Sequence, residues 1–169
     1  MSKKIEIRVY AELIGIAALV ISLVIVVYEL RQNTNALQGA ATDAISERQQ
    51  FELYWSSEMA PVFVKAIKNP EELTASESWQ LSEWHTSAIA ARQSEYSQYR
   101  LGLIEESDWQ TTEGVIQFMF SFKWSQDWWD AYSDIPWNDD FKQRVDDLIE
   151  TNEFDYADLL DQVSRFGIE

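Results

Sequence analysis

Residues 13–28 read LIGIAALVISLVIVVY, a run without one charged side chain. Val9, Tyr10 and Ala11 before it and Leu30 after it extend it to about the ~20 residues a helix needs to cross a bilayer at 1.5 Å per residue. Glu12 and Glu29 sit near the two ends, where headgroups and water solvate charge, and Tyr10 and Tyr28 stand at the same levels, as interfacial aromatics do. A core helix of a soluble protein is the competing reading. It requires a polar face, and this stretch is apolar all round. A cleaved signal peptide is disfavoured because Tyr28-Glu29-Leu30-Arg31-Gln32 offers no small-x-small site after the run. The expectation is therefore an uncleaved N-terminal anchor.

Lys3, Lys4 and Arg8 precede the span, while only Arg31 and then Arg48 follow at short range. By the positive-inside rule the N-terminus lies in the cytoplasm and the remainder in the periplasm, as a single-pass protein of a bacterial inner membrane; the small bias leaves the reverse orientation open. Small residues recur along the span. Ala11 with Gly15, and Ala18 with Ser22, are small-xxx-small pairs at steps of four, three and four that share one helix face, an arrangement that lets two helices approach closely in lipid.

Charge separates this segment from the rest. Five basic and five acidic side chains cancel over residues 1–50, so the whole net charge of −16 belongs to residues 51–169. Such a domain repels nucleic acid and anionic headgroups, and no nucleic-acid partner is expected. The absence of cysteine excludes disulfides, thiolate zinc sites and thiol nucleophiles. With 46% hydrophobic and 14% aromatic residues, the domain has ample material for a packed core.

The pattern predicts an all-α protein: an N-terminal transmembrane helix continuing into a stalk and a five- to six-helix bundle, with the anchor over 1–31, the stalk over 32–58 and the acidic domain over 59–169. No proline occurs before Pro61, so the anchor is expected to continue as one helix to about Ser57, along a stripe Leu30, Thr34, Leu37, Ala41, Ala44, Arg48, Phe51, Trp55. Phe51, Leu53, Tyr54 and Trp55 read as the entry into the core. Pro61 and Pro70 are expected to bound a short helix over 60–69, and Asn69-Pro70-Glu71-Glu72 reads as a cap followed by an acidic first turn. Thr74-Ala75-Ser76-Glu77 is a capping box opening a helix to about Leu101, with Leu81, Trp84, Ala88, Ala91, Tyr96, Tyr99 and Leu103 inward and Gly102 as terminator. Ser107 is expected to cap a helix from Asp108 to about Phe122. Asn138 caps another over about 139–151, and a last helix is predicted over Tyr156–Arg165, ending at Gly167.

Glu29-Leu30-Arg31-Gln32-Asn33-Thr34-Asn35-Ala36-Leu37, directly after an apolar span, resembles a motif of a large set of uncharacterised bacterial membrane-anchored helical proteins. Further elements that resemble theirs are Tyr99-Arg100-Leu101-Gly102-Leu103, the acidic run Glu105-Glu106-Ser107-Asp108 before Trp109, and the pair Trp128-Trp129. The resemblance implies an architecture of one span and a helical domain. It carries no activity to transfer.

The residues point away from catalysis, and no enzyme activity and no cofactor is expected. His85 is the only histidine, which excludes a di-iron site built on paired Glu-x-x-His motifs, and Ser82 and Ser87 sit in no nucleophile turn. His85 is read as a partly buried structural residue. Asp127, Asp130, Asp134, Asn138, Asp139 and Asp140 crowd one loop, but the spacing lacks the glycine and terminal glutamate of an EF-hand, so caps and solvated charge explain them and no metal is assigned. Trp124, Trp128 and Trp129 cannot all face inward on one helix, which makes them candidates for an interface. The leading expectation is a membrane-anchored interaction, assembly or accessory subunit, with the lipid bilayer and a second copy or another membrane protein as partners. The alternative is a ligand-sensing or solute-binding domain with an aromatic pocket of Trp84, Tyr96, Tyr99 and Trp109.

Overall fold

The structure, a computed structural model, describes residues 2–132 and 135–152, with side chains from Val9 onward. The helix expected over Tyr156–Arg165 with its stop at Gly167, Asp134, and the side chains of Lys3, Lys4 and Arg8 lie outside the described residues. Among the described residues the fold is all-α, with no strand: α1 Ser2–Lys68, α2 Ala75–Arg100, α3 Glu106–Met119, α4 Lys123–Tyr132 and α5 Asp139–Glu150, with a 3-10 turn over Pro70–Glu72.

The chain divides into two compact units, Met1–Ala41 and Thr42–Glu169. The first is helical from Ser2 on and holds, among the described residues, the one helix long and apolar enough to cross a membrane. Its mean hydropathy reaches 2.6, and none of the apolar window is buried within the chain. Leu19, Val20, Ile21, Leu23 and Val24 are all more than half exposed. Side chains of this kind left bare over several turns lose the stabilisation that burial gives, about 1.5–3 kcal/mol for each. Only a lipid or protein environment supplies it.

The second unit is a bundle closed by long-range helix contacts, α2 on α3 and α3 on α5. Its helices form where side chains recur at three- and four-residue steps. Trp109, Thr112, Ile116 and Met119 are the buried face of α3, and Phe141, Val145 and Leu148 that of α5. These join Ala88 and Ile89 of α2, Trp128 and Trp129 of α4, and Phe120 in one core. A second cluster sets Met59 and Ala66 of α1 against Leu81 of α2, with Val62, Phe63, Trp84 and Trp124 at its edge.

Caps follow the sequence closely at α2 and α5. Thr74 and Glu77 form the reciprocal capping box, the Glu77 carboxylate also accepting from Lys65 Nζ at 2.8 Å. The Asn138 side chain accepts from the Phe141 N–H at 3.1 Å. Gly102 ends α2 at φ +70°, the left-handed conformation a glycine adopts without penalty.

Four expectations are corrected. α1 does not stop near Ser57; it runs through Pro61 to Lys68, so residues 60–69 are not a separate helix. Proline in a helix interior forfeits one hydrogen bond. Here the carbonyl left over belongs to exposed Ser57, where water can reach it, while Met59, Val62, Phe63 and Ala66 hold the helix on both sides of the proline. Asn69 makes no side-chain cap, and Pro70–Glu72 is a single 3-10 turn. α3 begins at Glu106 after Glu105 rather than at a Ser107 cap, and ends at Met119, where Phe120–Phe122 turn the chain into α4. Finally, Phe51, Leu53 and Tyr54 do not enter the core: they are 59%, 72% and 66% exposed. The inward face of α1 in this unit passes through Ile45, Arg48, Glu52, Trp55, Met59 and Phe63 instead, because Glu52 pairs with a buried arginine.

Candidate functional site

In the first unit, Ala11, Gly15, Ala18 and Ser22 are all exposed on α1. A Cβ added at Gly15 would meet nothing within 4 Å. The glycine therefore answers to no contact inside the chain, and the face is bare.

In the second unit, α2 carries a buried ionic cluster. Arg92, 2% exposed, donates from Nη1 to Glu95 at 3.1 Å and from Nη2 to Glu52 on α1, and Glu95, fully buried, also accepts from the Thr112 hydroxyl of α3 at 2.8 Å. One guanidinium thus serves two carboxylates and ties α1, α2 and α3 together. Burial pushes the Glu52 carboxyl above its ordinary value, against the pull of Arg92. Beside the cluster, Arg48 donates to the Ala91 carbonyl at 3.2 Å.

About two turns closer to the start of α2 lies His85, fully buried. Its ring is walled by Trp84, Phe120, Trp124 and Trp128, with centroids 5.3, 5.9, 4.7 and 4.9 Å away. Neither ring nitrogen has a hydrogen-bond partner among the described residues. Burial alone holds the imidazole at a pKa of about 3, so it is neutral at physiological pH, with one N–H and one lone pair. His85 borders a cavity of about 260 Å³ whose walls are almost wholly carbon, formed by Phe63 and Ile67 of α1, Trp84 of α2, Phe118 and Met119 of α3, and Phe122 and Trp124. Trp124 and Ser125 also border the cavity, but Trp124 Nε1 and Ser125 Oγ are buried away from its carbon wall, without a partner among the described residues.

The residues named from sequence fall in different places. Trp84 lines the cavity. Tyr96, Tyr99 and Trp109 do not; they form a ring cluster with Phe141, Tyr99 stacked on Trp109 at 5.6 Å and 13° and Tyr96 at 5.1 Å from Trp109. Of the three tryptophans expected at an interface, Trp128 and Trp129 are buried and Trp124 is half-buried, so none is exposed. The physical reason is that α4 is covered on two sides. Trp128 donates to Ser82 Oγ of α2 at 3.0 Å, and Trp129 to Asp146 Oδ1 of α5 at 2.7 Å. Among the described residues no three His, Asp or Glu side chains converge as a metal site. In the acidic loop, Asp127 pairs with Lys123, Asp140 pairs with Arg100 at 3.0 Å, and Asn138 caps α5.

Sequence reasoning read His85 as structural and passed over Ser125. The available signal was the spacing Leu81, His85, Ala88, Arg92, Glu95, a four-three-four-three stripe in which polar residues occupy core positions. Comparison with known protein families, with curated proteins and with solved structures finds no match for this chain.

Proposed function

We propose that the chain is a single-span membrane-anchored interaction protein, an accessory or assembly subunit that self-associates, and that it belongs with the bacterial membrane-anchored proteins whose post-span motif Glu29–Leu37 resembles. In this reading the N-terminus is cytoplasmic and the acidic helical domain lies on the periplasmic side of an inner membrane. The observation that carries it is the set of apolar side chains that nothing among the described residues covers. It includes the entire span and also, on the part of α1 that belongs to the helical bundle, Phe51, Leu53, Tyr54 and Val64, each 48–72% exposed. Lipid accounts for the first group. The second is apolar surface on α1 at Phe51, Leu53, Tyr54 and Val64 that a partner could cover. Ala11, Gly15, Ala18 and Ser22 supply a face on which two spans can meet at backbone distance.

The test is the mass of the full chain extracted in mild detergent, with cross-linking in the native membrane before extraction. The reading expects a dimer or a larger complex, weakened by Gly15→Leu and separately by Leu53→Ser. A monomer with nothing attached, under both treatments, contradicts it.

A further inference from the structure

We propose that the carbon-walled cavity between α1, α2 and α3 binds a small, flat aromatic hydrocarbon without polar groups, held by apolar contacts alone. This goes beyond the interaction reading and stands independently of it. What the wall lacks decides the chemistry. Phe63 and Ile67 of α1, Trp84 of α2, Phe118 and Met119 of α3 and Phe122 supply carbon, and the cavity exposes almost no polar surface. All of them belong to the second compact unit. The unpartnered polar atoms of the neighbouring His85, Trp124 and Ser125 are buried and do not face the space. Water is a poor occupant, because a bound water needs roughly two to four polar partners. A charged or hydroxylated guest is a poor one for the same reason: it leaves its hydration and finds no partner in exchange. Left empty, the space forfeits the contacts that close packing supplies, and an apolar guest restores them.

Size and shape narrow the guest. An apolar cavity of about 150 Å³ admits benzene; this one, of about 260 Å³, has room for a second fused ring. The wall rings are arranged as aromatic pairs. Phe63 stands edge-on to Trp84 at 4.8 Å and 78°, and Phe118 edge-on to Phe122 at 5.5 Å and 85°. A flat guest among such rings gains edge-to-face and offset contacts that a saturated body of equal size does not. The Met119 thioether likewise favours an aromatic neighbour. A rigid guest gives up no rotamer freedom on entry, unlike an alkyl chain. Phe118, the one lining residue that is exposed, marks the entrance.

The experiment uses the full chain, labelled with carbon-13 at the methionine methyl groups, in lipid nanodiscs. Naphthalene, decalin, 2-naphthol and naphthalene-2-sulfonate are the probes. The readout is the Met119 methyl resonance, assigned through Met119→Leu, and affinities are referred to free aqueous ligand after correction for partition into lipid. The expected result is a saturable shift with naphthalene, binding of 2-naphthol about ten-fold weaker because its hydroxyl enters unpaired, binding of decalin several-fold weaker, and no saturable shift with the sulfonate. Ser56→Trp, which fills the space from the α1 side, is expected to abolish naphthalene binding. Phe118→Leu, at the exposed rim, is expected to weaken naphthalene several-fold and to leave decalin unchanged. No saturable shift with naphthalene, binding of decalin, 2-naphthol or the sulfonate as tight as that of naphthalene, or undiminished naphthalene binding in folded Ser56→Trp or Phe118→Leu would each overturn the site.

Discussion

Replacing His85 by leucine should make the protein more stable, and should do so by an amount that grows as pH falls. At neutral pH the substitution removes two unpartnered nitrogens from an aromatic cage and leaves apolar volume in their place, worth about 1–3 kcal/mol less any repacking cost. The pH term has a definite sign. The imidazole titrates near 6.5 when unfolded and at about 3 when folded, so between those values the unfolded chain binds the extra proton and acid favours unfolding. From pH 6.5 to 4.5 this penalty grows by roughly 2 kcal/mol, and it approaches roughly 5 kcal/mol below pH 3, at about 1.4 kcal/mol per pH unit. Glu52, raised by burial, works in the opposite direction just above its ordinary range: the folded state holds its proton more firmly and gains as pH falls. Glu52 is common to both proteins, so the difference between native chain and variant isolates His85. The assay is urea unfolding of the full chain in nonionic detergent, followed by tryptophan emission at pH 7.5, 6.5, 5.5 and 4.5. A variant less stable than the native chain at pH 7.5, with the same pH slope, would refute the reasoning, because it would mean that His85 is partnered and protonatable where it stands.

Arg92→Met should cost about 3–5 kcal/mol by urea unfolding, since it strands the Glu95 carboxylate in the core, and adding Glu95→Leu should recover much of that loss. Glu77 is held down to a pKa of about 2 by Lys65 and the Thr74 cap, so its contribution is present above pH 4.5 and is lost as pH falls toward 2; Glu77→Gln should lower the unfolding midpoint at pH 7 but not at pH 2. Thr74→Ala should lower stability by about 1 kcal/mol through the same cap. Gly102→Ala should cost about 1–2 kcal/mol, because φ +70° strains any residue with a Cβ even where the space around it is open.

Much of the architecture could be read from the chain because local rules decide it. An uncharged run sets the stretch of α1 long and apolar enough to cross a membrane, Thr74 to Glu77 sets the start of α2, Asn138 sets that of α5, and Gly102 sets the end of α2. Readings failed where tertiary contacts overrode local ones. Pro61 is a helix breaker by propensity, yet packing at Met59, Phe63 and Ala66 carries α1 past it. Phe51 looked like core because it is aromatic and in phase, but the neighbouring Glu52 takes the inward position, drawn by Arg92, forty residues away in sequence. The cavity was hidden for a related reason. It is assembled from α1, α2, α3 and α4 beside a histidine on a buried stripe that also carries Arg92 and Glu95, and nothing local to Trp84-His85 or Trp124-Ser125 reveals that their buried polar atoms lack partners.

Everything proposed about partners presupposes that residues 13–28 sit in lipid. The chain has no cysteine, so a single introduced thiol reports alone. Val20→Cys, in mid-span, and Ser57→Cys, on the exposed side of α1, are reacted with a water-soluble maleimide in sealed native membranes, after opening them, and in detergent with denaturant. The account predicts that Cys at 57 labels fully once both faces are accessible, whereas Cys at 20 stays protected until the membrane is dissolved. Equal labelling at the two positions in intact, opened membranes would contradict it.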